Sequence, residues 1–206
     1  MKQLIYIGGW DCFRSDDDFC EALKNREYQP FQEKKSWKNR FKNKIKDEYE
    51  TAFPTMPNIY NARYRAWKIW FEKIIPFLSG EKLVMIGHSL WAMFLAKYLS
   101  ENIFPQKIAQ LHMVSGCFDE NDLLESWERD YLADFIFDPN TLKNIEQQVD
   151  KVFIYHSKDD TIVPFSHSEK YLSYLPHAMM NIFEDKGHFW SIEEFPELLE
   201  NIKNIW

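Results

Sequence analysis

The stretch Val84-Met85-Ile86-Gly87-His88-Ser89-Leu90 decides how this sequence folds. Its first three residues are apolar and β-prone, Gly-x-Ser follows at once, and residues 92–99 then have helical composition with no break until Pro105. A strand that turns sharply into a helix at Gly-x-Ser is the pattern of a nucleophile elbow. The turn lifts the serine hydroxyl above the strand end and leaves the backbone N–H of Leu90 at a helix N-terminus, where a developing oxyanion is stabilised. Ser89 is therefore the expected nucleophile and Leu90 one expected oxyanion donor. The competing reading of Ser89 is an ordinary helix-capping serine.

On either side of this turn the chain alternates in type. Residues 2–7 form a β-rich run ending at Gly8-Gly9, and residues 49–53 form another, stopped by Pro54-Thr55-Met56-Pro57. Between 58 and 78, Tyr64, Trp67, Trp70, Phe71, Ile74, Ile75 and Leu78 recur at helical spacing, an aromatic stripe read as core. Strand-like runs at 82–86, 108–114, 152–155 and 178–183 are interleaved with helical stretches near 141–149, 166–172 and 192–205. Strands alternating with helices predict an α/β protein with a doubly wound, mainly parallel sheet covered on both faces.

A hydroxyl nucleophile needs a base, and His188 in Asp185-Lys186-Gly187-His188-Phe189 follows the last predicted strand, where such a base belongs in chain order. The acid that orients the base belongs after the penultimate strand, where the chain reads His156-Ser157-Lys158-Asp159-Asp160-Thr161-Ile162-Val163-Pro164. Asp160 is favoured because Asp-x-x-Val-Pro is the usual arrangement, while Asp159 is expected to hold the loop through local hydrogen bonds. Asp119 is a third candidate, from the preceding strand. The second oxyanion donor is expected from the loop after the first strand, at the backbone of Gly9 or Trp10; the alternative is that the glycines of Gly8-Gly9 only make a tight turn.

With 206 residues, 45% of them hydrophobic and 17% aromatic, the chain is long enough for one substantial core, and a single domain over 1–206 is expected. The net charge of −7 argues against a general attraction to nucleic acid or to an anionic membrane. One basic segment, Lys34 to Lys46, has Trp37, Phe41 and Ile45 at fourth-residue spacing, which reads as a docked helix with a solvated basic face. The first apolar run is too short for a signal-peptide core or a bilayer span. Cys12, Cys20 and Cys117 lack metal-type spacing and read as reduced thiols of a cytoplasmic protein. His112, His156, His167 and His177 have no HExxH or Cys-x-x-Cys companion, so no metal site is expected.

Together these residues resemble the compact serine hydrolases of the retinoblastoma-binding protein nine and YdeN group, within the α/β-hydrolase superfamily. The likeness spans most of the chain and rests on Gly8-Gly9, Pro54-Thr55-Met56-Pro57-Asn58, Gly87-His88-Ser89-Leu90, Ser157-Lys158-Asp159-Asp160 with Val163-Pro164, and Gly187-His188-Phe189. The resemblance implies an α/β-hydrolase fold without a large lid domain, a triad of Ser89, His188 and Asp160, and an often poorly defined substrate; the chemistry of such a triad leads to the expectation of a small ester-like or thioester acyl substrate and no cofactor. The departure is Trp91, where the elbow pattern expects glycine or another small residue. Such an indole is expected to overpack the helix or to obstruct the pocket, with reduced activity. The rival reading that follows is a catalytically weak or inactive hydrolase fold serving as a protein- or ligand-binding module.

Overall fold

The computed structural model describes residues 2–8, 11–26, 37–121 and 132–204. Within them β1 (Lys2–Ile7), β2 (Tyr49–Ala52), β3 (Lys82–His88), β4 (Ile108–Val114), β5 (Val149–Ser157) and β6 (Met179–Phe183) form one sheet. The strand order is β2-β1-β3-β4-β5-β6 and every neighbouring pair is parallel. The order reverses beside β1, so crossovers run on both faces: the sheet is doubly wound, as the alternation of strand and helix predicts. Among the described residues no lid domain stands over the strand tips.

Period-two alternation divides each central strand between two cores. Ile5 and Ile7 of β1 and Leu83 and Met85 of β3 face one side, where they meet α3 (Tyr64–Glu72), α4 (Leu90–Glu101), α5 (Lys143–Gln148) and α6 (Ser166–Tyr174). Leu4, Tyr6, Val84 and Ile86 face the other, against α2 (Trp37–Ile45) and α7 (Pro196–Lys203). Burial on both faces is why these strands read as unbroken apolar runs. The helix after the serine is buried on every side from Leu90 to Ser100, so it shows no polar stripe. Its one buried cation, Lys97, is held by Glu101 at 2.6 Å and the Ile136 carbonyl at 2.7 Å.

Several boundaries differ from those expected, each for a local reason. The helix expected over 58–78 is regular only over Tyr64–Glu72 and ends in a 3₁₀ turn, Ile75–Phe77, where Pro76 has no N–H to continue an α-helical ladder. Its start is set from afar, because the Asp134 carboxylate accepts from the N–H groups of Tyr64 and Arg65 at 2.6 and 3.0 Å. A further helix, α1 (Asp16–Asn25), was not expected, although Ser15 caps it and Asp16, Asp17 and Asp18 complement its dipole. In the basic segment Trp37, Phe41 and Ile45 are buried, while Arg40 and Lys44 pair with Glu193 and Glu194; residues 34–36 lie outside the described residues. Cys12, Cys20 and Cys117 form no disulfide. Among the described residues no helix is long and apolar enough to cross a membrane.

Candidate active site

At the end of β3 the backbone of Ser89 takes φ +61° and ψ −129°, and α4 begins at the next residue. A left-handed φ at a non-glycine residue costs about 1–3 kcal/mol and persists only where the surroundings over-determine it. Here Ser89 N–H donates to the Val114 carbonyl at 2.8 Å, and the Ser89 carbonyl accepts from Ala92 N–H at 3.0 Å. The glycine two residues earlier is a steric necessity: a Cβ on Gly87 would meet the Ala92 N and Cα and the Trp91 carbonyl oxygen, each at 2.8 Å. On the other side a Cβ on Gly116 would strike Ala92 Cβ at 2.8 Å. The strand tips and the first turn of α4 thus press on one another, and Ser89 is lifted to the C-terminal edge of the sheet. The N–H of Leu90 belongs to the first turn of α4, whose amides lack intrahelical acceptors.

His188 and Asp160 meet across the neighbouring strand tips. His188 Nδ1 lies 2.8 Å from Asp160 Oδ2 and 3.1 Å from Oδ1, with both side chains buried. A carboxylate only accepts, so Nδ1 carries the proton and Nε2 is the basic nitrogen. The carboxylate also receives the N–H groups of Ile162 and Val163 on Oδ1 at 2.9 and 3.0 Å. Burial by itself raises the carboxyl pKa; hydrogen bonds from His156, His188 and Val163, with the charge of His188, outweigh it and hold Asp160 well below the usual carboxylate range.

The other two acidic candidates are engaged elsewhere. Asp159 Oδ1 accepts from the Ser157 hydroxyl at 2.5 Å and from Gly187 N–H at 2.9 Å, while Ser157 Oγ accepts from Lys186 N–H at 2.9 Å. These bonds lash the loop that carries His188 to the end of β5. Asp119 pairs with Lys170 at 3.0 Å and caps Asn121 N–H.

Two side chains given no part in the site by the sequence reading hold the loop of His188, the first of them to the serine turn. His88, next to Ser89, has its Nε2 2.8 Å from the His188 carbonyl and donates to it, with the two rings 4.9 Å apart. Burial first, then His188 and Lys38, push the His88 pKa far down, so the ring is neutral. From α2, Trp37 Nε1 donates to the Phe189 carbonyl at 3.0 Å. Gly187 and Phe189 both have left-handed φ, +51° and +59°, and so turn the chain sharply on each side of His188. Trp190, half exposed, stands edge-on to the His188 ring at 4.7 Å. The readable signal for His88 was a polar residue in an otherwise apolar strand end, which requires a partner.

The Trp91 indole is buried and lies flat on Trp67, ring centroids 3.7 Å apart and planes 12° from parallel, with Phe94 edge-on at 5.2 Å. Its Nε1 is buried without a hydrogen-bond partner among the described residues. Gly9 and Trp10, the expected second oxyanion donors, lie outside the described residues. Among the described residues no three His, Cys, Asp or Glu side chains converge as metal ligands.

No known family model and no curated protein matches this chain in sequence. Solved structures do match its backbone. The ydeN gene product of B. subtilis superposes with a TM-score of 0.75 at 20% identity, covering 100% of this chain and 98% of that one. A meta-cleavage product hydrolase from Pseudomonas fluorescens IP01 gives 0.68 at 13% identity, over 98% and 89%. The thioesterase domain from the curacin biosynthetic pathway gives 0.63 at 12% identity, over 98% and 90%.

Proposed function

We propose that this chain, which has the α/β-hydrolase fold, is a serine hydrolase that cleaves ester-like acyl substrates, thioesters included, through an acyl-enzyme on Ser89. The observation that carries the reading is the buried pair of His188 Nδ1 and Asp160, 2.8 Å apart and bound through His88 to the serine turn. The Asp160 carboxylate fixes the tautomer that leaves Nε2 basic. That nitrogen takes the Ser89 proton as Oγ bonds to the substrate carbonyl carbon. The N–H of Leu90 and an amide of Gly9 or Trp10 stabilise the oxyanion. As the carbonyl re-forms, the leaving alcohol or thiol takes the proton from His188. Water then repeats the sequence and releases the acid. No step calls for a metal or organic cofactor.

The similar structures support a hydrolase, among them carboxylesterases, a serine hydrolase and the thioesterase domain. The test is a panel of nitrophenyl esters of graded acyl length, with an acyl thioester alongside. A site with no lid domain over it among the described residues favours short acyl chains, so turnover is expected to be fastest there and to vanish in Ser89→Ala. Folded wild-type protein that turns over none of them would sink the proposal and favour a binding role for the fold.

A further inference from the structure

Asp160 has a second histidine beside it, which the reaction steps do not use. His156 is fully buried on β5, four residues before the acid. Its Nε2 lies 2.8 Å from the Val163 carbonyl oxygen and 3.4 Å from Asp160 Oδ2, and its Nδ1 lies 2.5 Å from Ser168 Oγ. A carbonyl only accepts, so Nε2 carries a proton; Nδ1 then accepts the hydroxyl proton of Ser168. The Val163 carbonyl thus sets the tautomer of His156, and Ser168 of α6 satisfies the remaining ring nitrogen. The turn that it grips is the one that holds the acid, because Val163 gives its N–H to Asp160 Oδ1 and its carbonyl to His156. Asp160 Oδ2 in turn lies between two imidazole N–H groups, those of His188 and His156.

We infer that His156 is a positioning residue for the proposed reaction: with its ring held at Nδ1 by Ser168, its Nε2–H pins the Val163 carbonyl and Asp160 Oδ2 together and keeps the carboxylate aimed at His188. The inference rests on the reading of Asp160 as the orienting acid. An apolar residue would fill this inward strand position without needing two buried partners, whereas loss of the N–H leaves a buried carbonyl unsatisfied and one carboxylate oxygen with a single close donor. A misplacement on the ångström scale at the acid is passed on to the base, and such errors cost about 100-fold.

The test compares wild type with His156→Leu, His156→Gln and Ser168→Ala, using kcat and KM for a short-chain ester, the downfield NMR resonance of the His188–Asp160 proton, and thermal melts to fix the folded fraction. His156→Leu is expected to lower kcat by about 10- to 100-fold with little change in KM, and to shift or broaden the resonance. His156→Gln, whose amide N–H still reaches the Val163 carbonyl, recovers most of the loss, and Ser168→Ala falls between. If His156→Leu fails to fold, Ser168→Ala decides, since it removes a single hydroxyl. Folded variants with wild-type kcat and an unmoved resonance overturn the inference while leaving the serine-hydrolase proposal intact. Wild-type protein with no turnover at all removes that proposal and this inference with it.

Discussion

Asp159 and Asp160 are adjacent in sequence and opposite in surroundings. Asp160 is buried against His188, His156 and two turn amides; Asp159 is exposed to solvent and ties Ser157 to the backbone of Gly187. Asp160→Asn, which keeps the shape but loses the charge that stabilises the imidazolium, is expected to lower kcat by about 10³- to 10⁴-fold with a near-normal melt. Asp159→Asn should cost much less, through a looser 186–187 segment. Steady-state kinetics on one short-chain ester separates the two; the reverse ranking would move the acid to Asp159. The placement of Ser89, Asp160 and His188 on turns at the strand ends was legible in the sequence because each sits in a short string with its own turn chemistry. Gly87 must precede the serine for the contact distances given above, and Asp160 is the residue whose side chain closes the turn through Val163. His156 and His88 were not legible as parts of the site, since their partners, Ser168, Val163 and His188, are fixed only when β5, α6 and the last loop pack together.

At the scale of elements, the layer between α3 and α4 explains what the serine turn tolerates. Trp67, Phe71 and Tyr64 of α3 meet Trp91, Phe94 and Tyr98 of α4 as stacked, tilted and edge-on rings. The aromatic stripe over 58–78 was legible as core; its pairing with Trp91 was not, because nothing local announces which helix will lie against it. Sequence patterning marked Trp91 as a misfit, and the structure places its indole in this layer, flat on Trp67. Trp91→Gly is accordingly expected to leave a cavity and to lower stability by about 3–5 kcal/mol, with roughly 1 kcal/mol more from a helical glycine. Chemical denaturation measures it. A variant that unfolds like wild type, and turns over bulky esters faster, would assign the indole to the mouth of the site instead.

For the whole molecule, the doubly wound sheet was legible because strands buried on both faces and helices that, α4 apart, are buried on one leave different periodicities. The ends of the elements were less so, as α3 shows, where a distant carboxylate and Pro76 set the limits. The same burial makes the fold sensitive to acid. Burial is the leading cause that lowers the pKa of His88, His112 and His167, and His112 is pushed down from 6.5 to about 3. His112 is held neutral between the Tyr155 hydroxyl, 2.8 Å from Nδ1, and Gln110 Oε1, 2.7 Å from Nε2. Between these two pKa values the unfolded chain binds a proton that the folded chain refuses. Stability therefore rises with pH across that window and is lost as pH falls, by at most about 1.4 kcal/mol per pH unit for each such histidine. Asp160 adds to the loss further down, since its depressed carboxyl stays charged where an unfolded aspartate takes up a proton. The melting temperature is expected to fall steadily from pH 7 to pH 4, and less steeply in His112→Gln. A flat profile for wild type over that range would contradict the account.

The claim on which the rest depends is that Ser89 is an activated nucleophile, and one measurement reaches it without knowledge of the substrate. Folded wild-type protein is treated with a fluorophosphonate probe, whose phosphorus an activated serine attacks as it would a carbonyl, and the adduct is located by peptide mass spectrometry. A single adduct on Ser89 is expected, formed slowly in Asp160→Asn and absent in Ser89→Ala and His188→Ala. No adduct on folded wild-type protein, or labelling undiminished in Ser89→Ala, would contradict it.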